Sequence, residues 1–346
     1  MERRDGLTIL PGFVDLHVHF REPGFSAKET ILAGSKAALR GGYIAVVTMP
    51  NLNPPPDSPA NLQLQLDILA RDAKLPVIPV GSITVGQAGK GELSDIEGLA
   101  PYVCGFSDDG VGVNDSNLMQ EAMLRTKAVH KPIIAHCEDL RFPGNESEWR
   151  PLERDLALAG RTGCHYHVCH VSTRESVALI RQAKRDGISV SAETAPHYLV
   201  LCDEDVLDEG RFKMNPPIRS SADRDALIEG ILDGTIDCIA TDHAPHTAEE
   251  KSKGMAGSAF GIVGLETAFP VLYTKLVREG VMTLDQLVDV MAHNPRELLK
   301  RWTSRIFGGA VLWDLEQKYT IDPEKFESMG RATPFANWEV YGHAIT

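Results

Sequence analysis

Short apolar, β-rich runs recur along the chain, and each gives way to a polar or Gly/Pro-rich stop followed by a helical pattern. The runs are FVDLHVHF (13–20), IAVVTMPN (44–51), VIPVGSIT (77–84), VCGFSDDG (103–110), PIIAHCED (132–139), YHVCHVST (166–173), ISVSAETAPHYL (188–199) and IDCIATDHAPH (236–246). Between them, stretches such as SPANLQLQLDILARDA, DSNLMQEAMLRTKAV and TRESVALIRQAKRDG open on Ser58, Asp115 and Thr173, where a helix would be capped. A strand alternating with a helix eight times predicts an α/β fold, a (β/α)8 barrel of the TIM type, over residues 11–304. The tail from Arg305 onward, IFGGAVLWDLEQKYTI, is strand-like, so 305–346 is expected to form a small partial β appendage built from the chain ends. A doubly wound sheet is the competing fold, but no Gly-rich phosphate loop follows any of the strands.

In such a barrel the catalytic groups sit at the C-terminal ends of the strands, and the unusual polar residues collect there. They are His17 and His19, Asn51, Asp108 and Asp109, His136, His170, and Asp242 with His246. Side chains alternate faces along a strand, so His17 and His19 point the same way and can grip one metal ion from a single rigid element. Imidazole suits Zn2+, and a carboxylate, for which Asp242 is the natural candidate, would complete the set and leave room for a reactive water. His136 and His170 could hold a second ion, and a carboxylate of the fourth run, Asp108 or Asp109, could bridge the two. One or two Zn2+ ions fit this set, and two are favoured.

Most of the twelve histidines need no such role. His130, His165 and His343 read as surface or core residues satisfied by a hydrogen bond. His167, three residues before His170, should point to the opposite face, toward a helix or in support of a ligand, and His197 could orient a ligand or substrate. Alternation likewise turns Cys137 away from the metal, and the charge run AEEKSK reads as a solvated loop.

Composition narrows the partners. The 346 residues hold 35 Lys and Arg against 48 Asp and Glu, a net charge of −13 that disfavours nucleic acid and anionic membranes. A small anionic substrate stays compatible, because one Arg can override the global charge locally. There is no apolar run of roughly 18 residues and no apolar stretch of signal-peptide type at MERRDGLTIL, which assigns the chain to the cytoplasm. Six scattered cysteines without a C-x-x-C pair read as reduced thiols buried near strands.

With H-x-H-x-R at the first strand end, then MPN, FSDDG, AHCED, CHVS, KMNPP and ATDHAPH, the chain resembles the bacterial dihydroorotases of the amidohydrolase superfamily across nearly all of residues 11–300. H-x-H and the late Asp are shared by the wider superfamily, whereas HFREPG, MPN, NPP and DHAPHTAEEK together are far more specific. The resemblance implies that His17, His19 and Asp242 hold the more buried ion, His136 and His170 the other, and an aspartate of FSDDG the bridge. Asp109 takes that place by its position in the motif, which spacing alone does not separate from Asp108. Many relatives bridge through a carboxylated lysine; VCGFSDDG has none, so the chain resembles the aspartate-bridged type I branch.

The implied reaction is the reversible cyclisation of N-carbamoyl-L-aspartate to dihydroorotate in de novo pyrimidine biosynthesis, by a metal-bound hydroxide, with Asp242 as the proton carrier. The substrate carboxylate requires a buried Arg, and Arg21 lies two residues beyond His19 on the same face. By resemblance Arg21, Asn51 and His246 grip that carboxylate and Asn215 touches the ring. The alternatives are a dihydropyrimidinase, hydantoinase or allantoinase, and a catalytically inactive dihydroorotase-like scaffold for aspartate transcarbamoylase. The first group typically has the bridging lysine and lacks the Arg after H-x-H, and the second would have lost metal ligands. A homodimer and an association with aspartate transcarbamoylase are left open. Two departures stand out: relatives carry a longer β-rich segment before the first barrel strand, and the interval from His136 to His170, 34 residues, has a shorter loop than theirs.

Overall fold

In the computed structural model, which describes residues 2–4 and 6–345, the chain opens with two short strands, β1 (Glu2–Arg4) and β2 (Leu7–Pro11). It then enters a ring of parallel strands: β3 (Phe13–Val18), β4 (Tyr43–Thr48), β5 (Val77–Pro79), β6 (Gly81–Ser82), β7 (Phe106–Ser107), β8 (Ile133–Ala135), β9 (Tyr166–Val168), β10 (Val190–Thr194) and β11 (Cys238–Ile239). The pairing runs β3-β4-β5 and β6-β7-β8-β9-β10-β11, parallel throughout. β5 and β6 are one stave of the barrel interrupted at Val80: the Val80 N–H donates to Thr48 on one side, and the next N–H, of Gly81, donates to Gly105 on the other. The ring closes where Val18 bridges His243 and the His19 N–H donates to the His243 carbonyl at 2.8 Å. Eight staves result, one for each apolar run of the sequence.

The strands are shorter than the runs, because the C-terminal part of each run leaves the sheet to build the mouth. Where the sheet persists it is buried on both faces; β3, for example, is buried at all six positions. Val14 and Leu16 from β3, Val47 from β4, Ile78 and Val80 from the third stave, Cys104, Ile134, Cys169 and Cys238 share one buried cluster with Trp302. Since it draws from nearly every stave, that cluster is the barrel interior, and Trp302, from the helix Asn294–Thr303, belongs to it. The larger buried cluster lies outside it, between sheet and helices.

Local sequence sets the helix starts. Ser58 accepts from Asn61 N–H, Asp115 from Asn117 and Leu118, and Thr173 from Ser176, so helices Pro59–Asp72, Ser116–Ala128 and Arg174–Arg185 begin where the capping residues stand. Both chain ends meet in a four-stranded sheet of order β1-β2-β12-β13, with β12 (Ala310–Thr320) and β13 (Glu339–Ile345) antiparallel. β1 and β2 therefore contribute two of the four strands of the appendage. Trp313 of β12 fixes it to the barrel, packing 4.2 Å from the Phe269 ring and 5.5 Å from Phe13. Gly42 allows that contact, since a Cβ there would stand 2.4 Å from the Trp313 ring and its φ is +83°. No helix among the described residues is long and apolar enough to cross a membrane. All six cysteines are buried free thiols.

Candidate active site

At the C-terminal mouth of the barrel a cavity of about 190 Å3 is lined by His19, Arg21, Asn51, Asp109, His136, His170, Asn215, Asp242 and His246, together with Gly110, Ala244, Phe260 and Gly261. His17 lies beneath it, fully buried, with its Nε2 3.3 Å from Asp109 Oδ1 and 3.6 Å from Asp242 Oδ1. His19 Nε2 stands 3.1 Å from Asp242 Oδ1 and 3.5 Å from Asp109 Oδ2. The same Asp109 Oδ1 that faces His17 lies 3.5 Å from His170 Nε2 and 3.8 Å from His136 Nδ1, and these two imidazole nitrogens are 3.0 Å apart. Asp109 thus stands between two groups, and its neighbour Asp108 turns away to accept from the N–H groups of Ile83, Thr84 and Gly89.

This donor set fits a divalent ion. Two nitrogen or oxygen ligands on one tetrahedral Zn2+, with bonds of about 2.0–2.1 Å, lie about 3.3 Å apart, which is the range of the contacts above. His17 Nε2 and Asp109 Oδ1 are buried without a hydrogen-bond partner, as atoms reserved for an ion would be. Ligand atoms of His17, His19 and Asp242 fall within 4.8 Å of one another, and so do those of His17, Asp109 and His170. Burial raises the carboxyls of Asp109 and Asp242, but the surrounding histidines outweigh it and hold both below their usual range.

Three of the candidate ligands reach the centre by leaving regular strand geometry. Val14 and Leu16 face the interior, and the β3–β4 register shifts between Asp15 and Val18, so that His17 also turns inward. His170 and Asp242 take left-handed backbones, with φ of 35° and 50°. This corrects the helix-facing reading of His167, though not its alternative as a support to a ligand. Counting alternation back from His170 points it toward a helix, but the count breaks at the left-handed residue, and His167 faces the interior beside Glu193 and Trp302.

Beside the ligands, Arg21 is 8% exposed; its Nε donates to the Pro245 carbonyl at 3.2 Å and its Nη2 lies 3.3 Å from His246 Nε2. Among the described residues no carboxylate forms an ion pair with it, and burial lowers its pKa to about 10. Glu22, the acid next to it in sequence, instead accepts from Ile31 N–H. Asn51 donates to the Asp109 carbonyl at 2.7 Å and Asn215 to Glu138 Oε1 at 3.0 Å. His246 is held neutral, near pKa 4, by burial and by Arg21. His197 is buried against Tyr198 and joins neither group of ligand atoms.

Sequence reasoning passed over several contributors. Glu193 Oε1 is 2.8 Å from His17 Nδ1, and Glu138 Oε2 is 3.3 Å from His136 Nε2. Burial raises Glu193, yet its hydrogen bonds to His167 and His17 bring its pKa down to about 2. Part of the supposed solvated run is also structural: Lys251 donates to the carbonyls of Lys213, Ala259 and Gly261 and so fixes the wall carrying Phe260 and Gly261. The signal for Glu138 was its place two residues after His136.

Residues 6–147 match the family model described as dihydro-orotase-like. A dihydroorotase of Geobacillus thermodenitrificans is 50% identical over 366 residues, covering 98% of this chain and 85% of that one. Those of Bacillus caldolyticus and Fusobacterium nucleatum are 49% and 48% identical, with 98% and 96% of this chain covered and 85% and 84% of theirs. Among solved structures, an L-hydantoinase (dihydropyrimidinase) from Arthrobacter aurescens superposes with a TM-score of 0.87 at 24% identity, covering 98% of this chain and 83% of that one. A dihydropyrimidinase from Brevibacillus agri gives 0.85 at 21% with the same coverages. At these identities the two structures speak for the barrel fold alone.

Proposed function

The chain belongs to the dihydroorotase family, and from that premise we propose that its mouth cavity performs the reversible cyclisation of N-carbamoyl-L-aspartate to dihydroorotate. The observation that carries the substrate is Arg21: a buried guanidinium without a carboxylate partner among the described residues, on the wall of a cavity whose floor is the candidate metal-ligand set. An anionic ring acid supplies the missing charge, and a planar guanidinium suits a carboxylate. Asn51 and His246 flank it, and Asn215, steadied by Glu138, is placed for the ring.

Two Zn2+ ions are the proposed cofactor, one held by His17, His19 and Asp242, the other by His136 and His170, with Asp109 shared. When bound, the ions supply an activated water and polarise the ring amide carbonyl. In the hydrolytic direction Asp242 accepts a proton from the attacking water and returns it to the leaving ring nitrogen; in the synthetic direction it takes that proton back. Arg21, Asn51 and His246 hold the carboxylate so that the amide meets Asp242 in one orientation. The complete ligand set speaks against an inactive scaffold, and Asp109 in the bridging place speaks against the lysine-bridged hydantoinases.

We also read residues 11–304 as the catalytic unit, 305–346 as its appendage, and the cytoplasm as the compartment. The test is metal analysis of the purified protein together with a dihydroorotate hydrolysis assay. About two ions per chain with turnover of dihydroorotate are expected. A protein that binds metal and hydrolyses dihydrouracil or hydantoin in preference to dihydroorotate overturns the substrate assignment.

A further inference from the structure

Beneath the proposed metal centre a file of polar side chains runs down the barrel interior, buried from His17 to Ser191, half-buried at His165 and exposed at its end, Ser189. His17 Nδ1 lies 2.8 Å from Glu193 Oε1, and the other oxygen, Oε2, is 3.1 Å from His167 Nε2. His167 Nδ1 is 2.8 Å from Ser191 Oγ, which is 2.9 Å from His165 Nε2, and His165 Nδ1 ends the file 2.9 Å from Ser189 Oγ. His17, Glu193, His167 and Ser191 are all at most 1% exposed. Trp302 packs edge-on against the His167 ring at 4.9 Å, sealing the file on its side.

With Glu193 ionised and the imidazoles neutral, the donors and acceptors can be assigned in only one direction. A carboxylate accepts, so both His17 Nδ1 and His167 Nε2 must carry hydrogen. His17 Nε2 is then a bare lone pair, and it is the atom left without a hydrogen-bond partner beside Asp109 and Asp242. His167 Nδ1 must in turn accept from the Ser191 hydroxyl, Ser191 Oγ from His165 Nε2–H, and His165 Nδ1 from the Ser189 hydroxyl. Every group in the file is satisfied and none is in conflict. His167, Glu193 and Cys238 also bring potential ligand atoms within 4.8 Å of one another. However, both nitrogens of His167 and both oxygens of Glu193 are already engaged, and burial keeps the Cys238 thiol protonated. That trio is a support and not a further ion site.

We propose that Glu193, braced by His167 and the serine–histidine file below it, is the positioning residue that sets the tautomer and ring plane of His17 for metal binding. The alternative is a buried polar network that contributes only to folding. A carboxylate behind a ligating imidazole typically changes metal affinity by about 10–100-fold, whereas a purely structural role would change stability and leave affinity alone.

The inference rests on His17 being a metal ligand, so the experiment begins with Zn2+ affinity of the parent, measured by chelator competition on metal-stripped, folded protein. Glu193→Gln keeps the shape but replaces the carboxylate by a neutral amide, and Zn2+ should bind about 10–100-fold more weakly. Asp155→Asn removes an equally buried carboxylate on the outer side of β9, where it accepts from Tyr166; it should lower the urea midpoint with unchanged Zn2+ affinity. If Glu193→Gln does not fold, His167→Asn leaves the Glu193–His17 contact in place while removing the brace, and a loss of about threefold or more is expected. A parent that binds Zn2+ and variants that bind it equally well overturn this inference and spare the proposed function. A parent that binds no Zn2+, Co2+ or Mn2+ overturns both.

Discussion

The two halves of the ligand cluster are built to different standards. In the deep half, His17 is fully buried and backed by Glu193, itself inside the barrel, while His19 and Asp242 are 3.1 Å apart. In the outer half, His136 leans on Glu138, a carboxylate at the rim whose side chain is 19% exposed and whose other oxygen takes the amide of Asn215. The deep half is fixed by the barrel, because its supports are packed side chains with one arrangement available. The outer half is fixed by the pocket edge, and one of its supports, Glu138, also holds Asn215, the residue proposed to meet the ring. On the proposed function, rigidity and substrate recognition are thus divided between the halves, with Asp109 touching both.

Breaking one half at a time gives the largest effects. His17→Asn removes an atom facing both Asp109 and Asp242, so it is expected to lose both ions and all measurable turnover; His136→Asn should lose one ion and retain the other. Metal content by mass spectrometry after gel filtration checks this, and equal losses would erase the distinction. Next comes Asp242→Asn, which at matched metal content should reduce dihydroorotate turnover by about 10²–10⁴-fold, as the loss of a general acid–base group typically does. A near-normal turnover number would make Asp242 a ligand only.

On the substrate side, Arg21→Met is expected to keep both ions and weaken substrate binding by roughly 2–5 kcal/mol, the usual consequence of truncating a buried charge partner. It should be read as a raised KM, with metal content as control. Glu138→Gln should act more mildly and on both functions, raising KM a fewfold through Asn215 and loosening the outer ion while the deep ion stays. An effect on the deep ion alone would contradict the division.

The smallest expected effect is on stability against pH. Burial holds His165 and His197 near pKa 4, below the 6.5 of an exposed imidazole. Between pH 6.5 and 4 the unfolded chain therefore binds protons that the folded chain refuses, so stability falls as pH is lowered through that window and the dependence from these groups flattens below about 4. Urea midpoints of the metal-stripped protein across that range should show the decline, and His165→Gln should make it shallower.

Much of this design was legible in the chain. The eight runs mark eight staves, because parallel barrel strands are buried on both faces and read as apolar segments. Ser58, Asp115 and Thr173 mark helix starts because an unsatisfied N–H group needs a nearby oxygen wherever the helix lies. His17, His19, His136, His170 and Asp242 stand out because polar residues at the end of an apolar run have few structural reasons to be there. Other features depend on tertiary partners. Spacing does not separate Asp108 from Asp109: the first is consumed by the loop at 83–89 and the second is not. Glu193 was hidden inside ISVSAET, although a carboxylate in a buried strand must find a partner, and that cost alone was a usable signal. His167 was misdirected because alternation holds only while the backbone stays extended.

The left-handed backbones of His170 and Asp242 bear on how such a site is maintained over generations. Gly enters that conformation without steric cost, whereas His and Asp, though among the better-tolerated side chains there, still carry one, so local preference at both positions favours a residue that cannot carry out the proposed roles. Drift toward a more comfortable chain would therefore erode the site at these two positions, and selection for activity has to act there continually against selection for stability. A thermostabilised variant obtained without an activity screen should be sequenced first at 170 and 242.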